Sequence, residues 1–398
     1  MGSRGWLEEV RRRALEGLSI APPYGPDVDV LHYVELNKRV APGRPDLSRA
    51  SEVGIDLERA GRSAYYLQVD QRVLQYLSRV PGVEVTTVEE FIERDPDLAA
   101  EYLWKLLDPS KDRFTAAAAL YGFGGFVVRV KKGVRVEEPI QTCLFMSSPG
   151  LQAPHNIVIL EEGAEVTVYT GCTIMPEPAG LHVGVSEFYV GRGARLRYVM
   201  VHSWNRVTHV RPRTAVEVGE GGEYVSYYIS FGRVRSIQTF PTVYLGRGAR
   251  TYLASVILGL EDSEIDVGNY VALGEDSSAQ VVSRVLARDR SRVWTRAVIS
   301  GGSGRGHIDC RGMIIHETAQ IYAVPELRAL GREAQLTHEA AIGKLSEDEI
   351  AYLMSKGFSR EEAEGILIRG FINVDLGWLP GRIRGYVESI LNLVASRA

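Results

Sequence analysis

The spacing of apolar positions changes twice along the chain. Trp6, Leu7, Val10, Leu15 and Leu18 fall at roughly helical intervals and lead into the loop-forming run Ala21-Pro22-Pro23-Tyr24-Gly25-Pro26. Further apolar-periodic stretches cover about Ala64 to Leu77 and Leu98 to Leu107, so residues 1–120 read as a helical and mixed N-terminal cap. From Phe126 to about Val324 the pattern becomes strand-like: segments rich in Val, Ile, Tyr and Thr alternate with Gly-bearing turns.

A unit recurs inside that region. Glu162-Gly163-Ala164-Glu165-Val166-Thr167-Val168-Tyr169 is echoed by Arg192-Gly193-Ala194-Arg195-Leu196-Arg197-Tyr198-Val199 and again by Arg247-Gly248-Ala249-Arg250-Thr251-Tyr252-Leu253. A weaker copy is Glu220-Gly221-Gly222-Glu223-Tyr224-Val225, so the turn glycines 163, 193, 221 and 248 are 30, 28 and 27 residues apart. A turn followed by an alternating strand at near-constant period predicts a solenoid, with apolar residues pointing into a stacked core. The long helices that βαβ units require are missing here, which argues against a nucleotide-binding α/β fold. The expected fold is mainly β: a β-helix core over 121–340 between N-terminal and C-terminal helical segments.

Past His338 the helical period returns, in a segment covering 341–398. Ser346-Glu347-Asp348-Glu349 and Ser359-Arg360-Glu361-Glu362 have the form of capping boxes, with Gly357 ending the first helix. Ala363, Ile366, Leu367, Gly370 and Phe371 share one face of the second helix. Ile383, Val387, Ile390, Leu391 and Val394 form the stripe of a third. These stripes are expected to cover the solenoid end or a partner.

Composition narrows the function classes. The 398 residues carry a formal charge of −4, which does not suit a nucleic-acid binder. No apolar run approaches the ~20 residues of a membrane span, and the N-terminus lacks the apolar core of a secretory signal. The expectation is a cytoplasmic protein with no nucleic-acid or membrane partner. The three cysteines, Cys143, Cys172 and Cys310, are far apart and form no CxxC pair, so neither a disulfide framework nor a self-contained zinc site is expected.

Candidate chemistry is sparse. Gly301-Gly302-Ser303-Gly304-Arg305-Gly306 lacks the GxxxxGK[ST] pattern and reads as a solenoid turn, so no nucleotide is expected to bind this chain. No HExxH or GxSxG occurs. A thiolate, an imidazole and a carboxylate, those of Cys310, His338 and Glu339, lie near the end of the strand region. Thiolate is the usual iron–sulfur ligand, imidazole can replace it, and carboxylate binds more loosely. Spacing alone leaves open a metal site or ordinary packing beside a solvated turn. Cys143 reads as a core residue, and His155, His209, His307 and His316 as surface or hydrogen-bonded structural groups.

Larger motifs decide between these readings. Ile308-Asp309-Cys310-Arg311-Gly312-Met313, Pro325-Glu326-Leu327 and Ala334-Gln335-Leu336-Thr337-His338-Glu339-Ala340-Ala341-Ile342-Gly343-Lys344 resemble, in order, the C-terminal signature of the SufB/SufD family. Gly124-Gly125-Phe126-Val127-Val128-Arg129-Val130 looks like that family's "GGxFxYVPKGV" strand, and Tyr169-Thr170-Gly171-Cys172-Thr173 with Leu181-His182 is similar to its "EGCxAP…LHAA" segment. The likeness runs from about residue 120 to 372, more loosely over 54–75.

This resemblance implies a right-handed parallel β-helix that serves as a non-enzymatic scaffold of SUF-type iron–sulfur cluster assembly. It implies a SufC-like ABC ATPase bound through the C-terminal helices, and pairing with a SufD-like paralogue or a second copy of the chain. A sulfur donor protein and a transient iron–sulfur cluster at the subunit interface are implied as well. By the same resemblance Cys310 and Glu339 match SufB ligands of the nascent cluster, while His338 matches the histidine contributed by the SufD side. A homodimer would then place Cys310 and Glu339 of one subunit against His338 of the other. Cys172 matches the cysteine that receives sulfur. Trp204 and Arg213 match an aromatic and a basic residue on the route between the two sites, with His182 a candidate base beside Cys172. The chain departs from the family at the sulfur-receiving end: Leu144 and Met146 replace the arginine and asparagine of an R-x-N element, and His202 replaces a glutamine. Thr337 replaces a glutamate. A SufD-like structural partner is the alternative, though Cys310 with Glu339 argues against it; a β-helix polysaccharide-active enzyme would need clustered carboxylates that the repeats lack.

Overall fold

The computed structural model describes residues 5–38, 47–56 and 63–398. The repeat folds as anticipated, into a β-solenoid of about eight turns. One wall is built from ten-residue strands, Glu165–Ile174, Arg195–Trp204, Glu223–Gly232, Arg250–Gly259 and Ser278–Ala287, each parallel to and in register with the next. The facing wall uses shorter strands such as His155–Leu160, Val185–Val190 and Arg213–Val218. A third side carries Gly150–Gln152, Gly180–His182 and His209–Val210.

The corners explain both the repeat and its apparent end. Gly163, Gly193, Gly221 and Gly248 all have φ between 62° and 69°. A Cβ at 193, 221 or 248 would meet nothing within 4 Å, so the backbone angle alone selects glycine there. At the next corner Asp276 takes φ 54°. Aspartate tolerates this left-handed conformation, so the solenoid continues where the glycine signature stops. It runs on through two long strands, Arg292–Ile314 and Gln320–Lys344. The glycine run 301–306 lies within the first of these and contains a bulge.

Alternate residues of the long-strand wall face opposite environments. Val166, Val168, Cys172, Leu196, Tyr198 and Trp204 point into the solenoid. Val199, Val201, Tyr227, Ile229 and Val256 face outward and are covered by the tail. There Ile368 of helix Arg360–Phe371 and Ile383, Val387, Ile390, Leu391 and Val394 of helix Gly381–Arg397 are buried. The tail is pinned by the Tyr227 hydroxyl donating to the Asp375 carbonyl and by Arg197 Nε donating to the Trp378 carbonyl at 2.7 Å. The last helix therefore lies along the flank of the solenoid; it does not cap its end.

The N-terminal segment mixes helices with strands. Helix Gly5–Gly17 forms as the apolar spacing indicates, and the structure adds helices Val30–Asn37 and Arg113–Tyr121, the last with Asp112 and Thr115 closing a capping box. Phe114 and Ala117 pack on Leu181, Val183, Val185 and Ala215 of the solenoid. The stretch Ala64 to Leu77, read from its spacing alongside helical segments, is instead an antiparallel hairpin, Ala64–Val69 with Arg72–Ser78. Its first strand is buried on both faces and pairs in parallel with Ile140–Met146, so tertiary pairing overrides a periodicity that a short apolar run carries only weakly. No helix among the described residues is long and apolar enough to cross a membrane.

Candidate functional site

Cys172 lies on the inward face of its strand, fully buried, with Leu144 on the rung before it and His202 on the rung after. His182 enters from the third side of the coil. One potential ligand atom from each of Cys172, His182 and His202 lies within 4.8 Å of the others. The Trp204 ring closes over them, its centroid 5.0 Å from that of His182 and 5.3 Å from that of His202.

Hydrogen bonds fix one tautomer. Gln152 Nε2 donates to the carbonyls of Asp70 and Phe145 at 3.1 and 2.9 Å, which turns its Oε1 toward His182 Nδ1 at 2.9 Å. An amide oxygen only accepts, so Nδ1 carries the proton and Nε2 the lone pair. His202 Nδ1 meets the Tyr228 hydroxyl at 3.1 Å, while its buried Nε2 has no partner among the described residues. Burial pushes the Cys172 thiol well up, the His182 imidazole down to about 3 and that of His202 well down. The group is thus a thiol beside two neutral imidazoles.

On its other side Trp204 lines a surface pocket of about 460 Å³ together with Arg49, Arg206, Arg233 and Arg397. Glu52 and Glu261 pair with three of these arginines, and the lining itself contains no carboxylate.

Cys310 also faces the interior and is fully buried. Its Sγ lies 3.9 Å from Ser283 Oγ, and burial raises the thiol despite the opposing hydroxyls of Ser283 and Thr295. Following the register from Cys172 through His202, Ser230, Ile257 and Val285 to Gly312 counts five rungs to the strand of Cys310, about 24 Å at ~4.8 Å per rung. Tyr228, Ser255 and Ser283 precede Cys310 in one inward-facing row. A cavity of about 50 Å³ lined by Tyr198, Tyr228, Ser255, Thr239 and Asn269 lies along this stretch.

The last strand sets which of the candidate ligands share a face within one chain. Ile308 pairs with His338, Asp309 with Glu339 and Cys310 with Ala340. Parity then puts Cys310 and His338 on the inward face and Glu339 on the outward face. Glu339 is 65% exposed and stands 3.6 Å from Arg311, which bonds Asp309 at 3.0 Å; Asp309 in turn takes Arg284 at 2.6 Å. Glu339 therefore does not join Cys310 at a common point in one subunit.

Arg213 is not brought to the interior either. Its strand alternates so that Val216 and Val218 face inward and Arg213 outward, beneath the N-terminal helices. Its Nε bonds Asp112 at 2.8 Å, its Nη2 bonds Gln238 Oε1 at 2.8 Å, and its guanidinium lies over Phe114. The other histidines are structural: His155 pairs with buried Glu187, His209 with Ser236, His307 with Thr337 and His316 with Asp289. Cys143 packs on the outer face of the wall with Val53 and Ile55. The nearness of His202 to Cys172 was available in the repeat itself, since the 30-residue step from Gly163 to Gly193 also carries 172 to 202.

Two family models match, one after the other, between residues 63 and 371. Residues 144–371 match the SufBD core domain of SUF-system FeS cluster assembly, and residues 63–142 match the SufBD protein N-terminal region. An iron–sulfur cluster assembly SufBD family protein of Archaeoglobus fulgidus is 39% identical over 351 residues, 87% of this chain and 95% of that one. A relative of the same description from Methanothermobacter thermautotrophicus is 35% identical over 408 residues, covering 97% and 98%. The iron–sulfur cluster assembly protein SufB of Bacillus subtilis is 26% identical over 405 residues, 94% and 86%. The chain belongs to the SufBD family of SUF-system iron–sulfur cluster assembly proteins.

Proposed function

We propose that this chain is a cytoplasmic scaffold subunit on which an iron–sulfur cluster is built at the open end of the solenoid, where a second subunit pairs. Family membership supports a role in iron–sulfur cluster assembly. The observation that carries the finer reading is the edge of Gln320–Lys344. This 25-residue strand pairs on one side only among the described residues. It exposes Tyr322, Val324, Leu330 and Ile342, with His338 on the edge and Cys310 one rung below. A long unpaired edge bearing apolar side chains is a template for strand addition. A second copy or a SufD-like paralogue on that edge would enclose Cys310 and His338 of both subunits in one interior. Glu339, on the outer face, would contribute a looser carboxylate at the rim.

Sulfur would arrive at Cys172 from a donor protein's persulfide, drawn by the arginine-lined pocket outside Trp204. The hydroxyls of Tyr228, Ser255 and Ser283 mark the way to Cys310. Anaerobic addition of ferrous iron and sulfide to the purified chain tests the assembly role. Wild-type protein is expected to gain a cluster chromophore with stoichiometric labile sulfide and Cys310→Ala to gain none; equal uptake by both would remove Cys310 from the site.

ATP hydrolysis would come from a SufC-like partner docked on helices Glu347–Ser355 and Arg360–Phe371. These and the turn between them leave Tyr352, Met354, Phe358 and Ile366 between 42% and 62% exposed. Removing the whole tail would also strip the solenoid flank, so point changes are the cleaner probe. Tyr352→Glu with Phe358→Glu is expected to abolish co-purification with the ATPase and leave the thermal melt unchanged. Retained binding would move the docking site elsewhere.

A further inference from the structure

We propose that Cys172, His182 and His202 form a binding site for a single divalent transition-metal ion of borderline softness, Zn²⁺ or Fe²⁺, inside the solenoid. The donor set is one sulfur and two imidazole nitrogens, which suits such ions, while magnesium and calcium prefer oxygen. A tetrahedral site with ~2.3 Å metal–sulfur and ~2.0–2.1 Å metal–nitrogen bonds has edges of roughly 3.3–3.8 Å. The ligand atoms here lie within 4.8 Å of one another, so side-chain rotations moving them by about 1 Å close the site around an ion of that bond length.

Three further features point the same way. His202 Nε2 is a buried polar atom with no partner among the described residues, and an unsatisfied buried acceptor is costly unless something fills it. Each imidazole is held through its other nitrogen, His182 by Gln152 and His202 by Tyr228. That is how metal-binding histidines are normally oriented. Finally, Trp204 covers the cluster on the pocket side.

Binding replaces the thiol proton of Cys172, which leaves to solvent, and displaces none from the imidazoles, which are already neutral. Three protein ligands leave a fourth position for a sulfur ligand or water. The site shares no ligand with the cluster site at the Cys310 end. It also bears on the sulfur-receiving role proposed for Cys172, since a metal would hold as thiolate a thiol that burial otherwise keeps protonated.

The test is titration of the purified chain with Co²⁺ alone. Expected are one tightly bound Co²⁺ per chain, tetrahedral visible bands, a thiolate-to-cobalt charge-transfer band, and displacement by Zn²⁺. Cys172→Ser should lose the charge-transfer band, and His202→Gln should weaken binding at least about tenfold. Cys143→Ser and Cys310→Ser should change neither. X-ray absorption of the Zn²⁺-loaded wild type should show one sulfur and two imidazoles, which keeps the proposal testable if a variant misfolds. The proposal is overturned if wild type shows no thiolate–cobalt band, if that band survives Cys172→Ser, or if it disappears with Cys310→Ser. Cobalt binding without cluster uptake would refute the assembly reading alone; cluster uptake without cobalt binding would refute the metal site alone.

Discussion

Chains carrying Leu330→Lys together with Ile342→Lys are expected to be monomeric and to take up no iron–sulfur cluster, although Cys310, His338 and Glu339 are all intact. Both side chains are exposed in the single subunit, Leu330 by 73% and Ile342 by 44%, so the substitutions disturb little inside it. Lysines on an open edge strand oppose edge-to-edge pairing through their charge and through the cost of desolvating them in a joint. The cluster should be lost because one chain presents only Cys310 and His338 on its inner face while Glu339 lies on the other side of the sheet. Sedimentation of the wild type should give a dimer, or a complex with a paralogue where one is present. Cys310→Ala should keep that assembly and lose only the cluster. A lysine variant that is monomeric yet loads normally would place the whole cluster site within one chain.

The second large effect concerns stability. Arg213→Met is expected to destabilise the fold by about 3–5 kcal/mol, the range for breaking a buried ion pair by removing one partner. Asp112 is 1% exposed and Arg213 5%. Without the guanidinium, the carboxylate would stay buried with the amide groups of Phe114 and Thr115 and the Thr115 hydroxyl as its remaining hydrogen-bond donors. Adding Asp112→Asn should recover much of the loss, because asparagine caps a helix about as well as aspartate and brings no charge. Denaturant unfolding of the two variants measures both quantities. At temperatures where Arg213→Met remains folded, cluster uptake should match the wild type, since this side chain points away from the interior. A slowed uptake with unchanged stability would restore Arg213 to the sulfur route.

Much of the architecture was readable along the chain, for local reasons. The glycine corners recur because each needs a left-handed φ, and the first two tail helices are announced by serines whose side chains accept from backbone amides three residues on. The hairpin at Ala64–Ser78 was not readable in this way. Its strands are short, and their identity comes from the solenoid wall they join.

The same division runs through the site. The sequence by itself determined which side chains are available: three cysteines and the His338–Glu339 pair, in an order that resembles one family, and a period that stacks position 172 on position 202. Only the tertiary structure decided which way each one faces. Register carries Cys310 and His338 inward and Glu339 outward, brings His182 around the coil to Cys172, and turns Arg213 toward Asp112. The reason is the pleat: successive residues of a strand point to opposite faces, so a shift of one position exchanges the interior for the surface. The pairing that sets this parity is made between strands about 30 residues apart, beyond the reach of any local pattern.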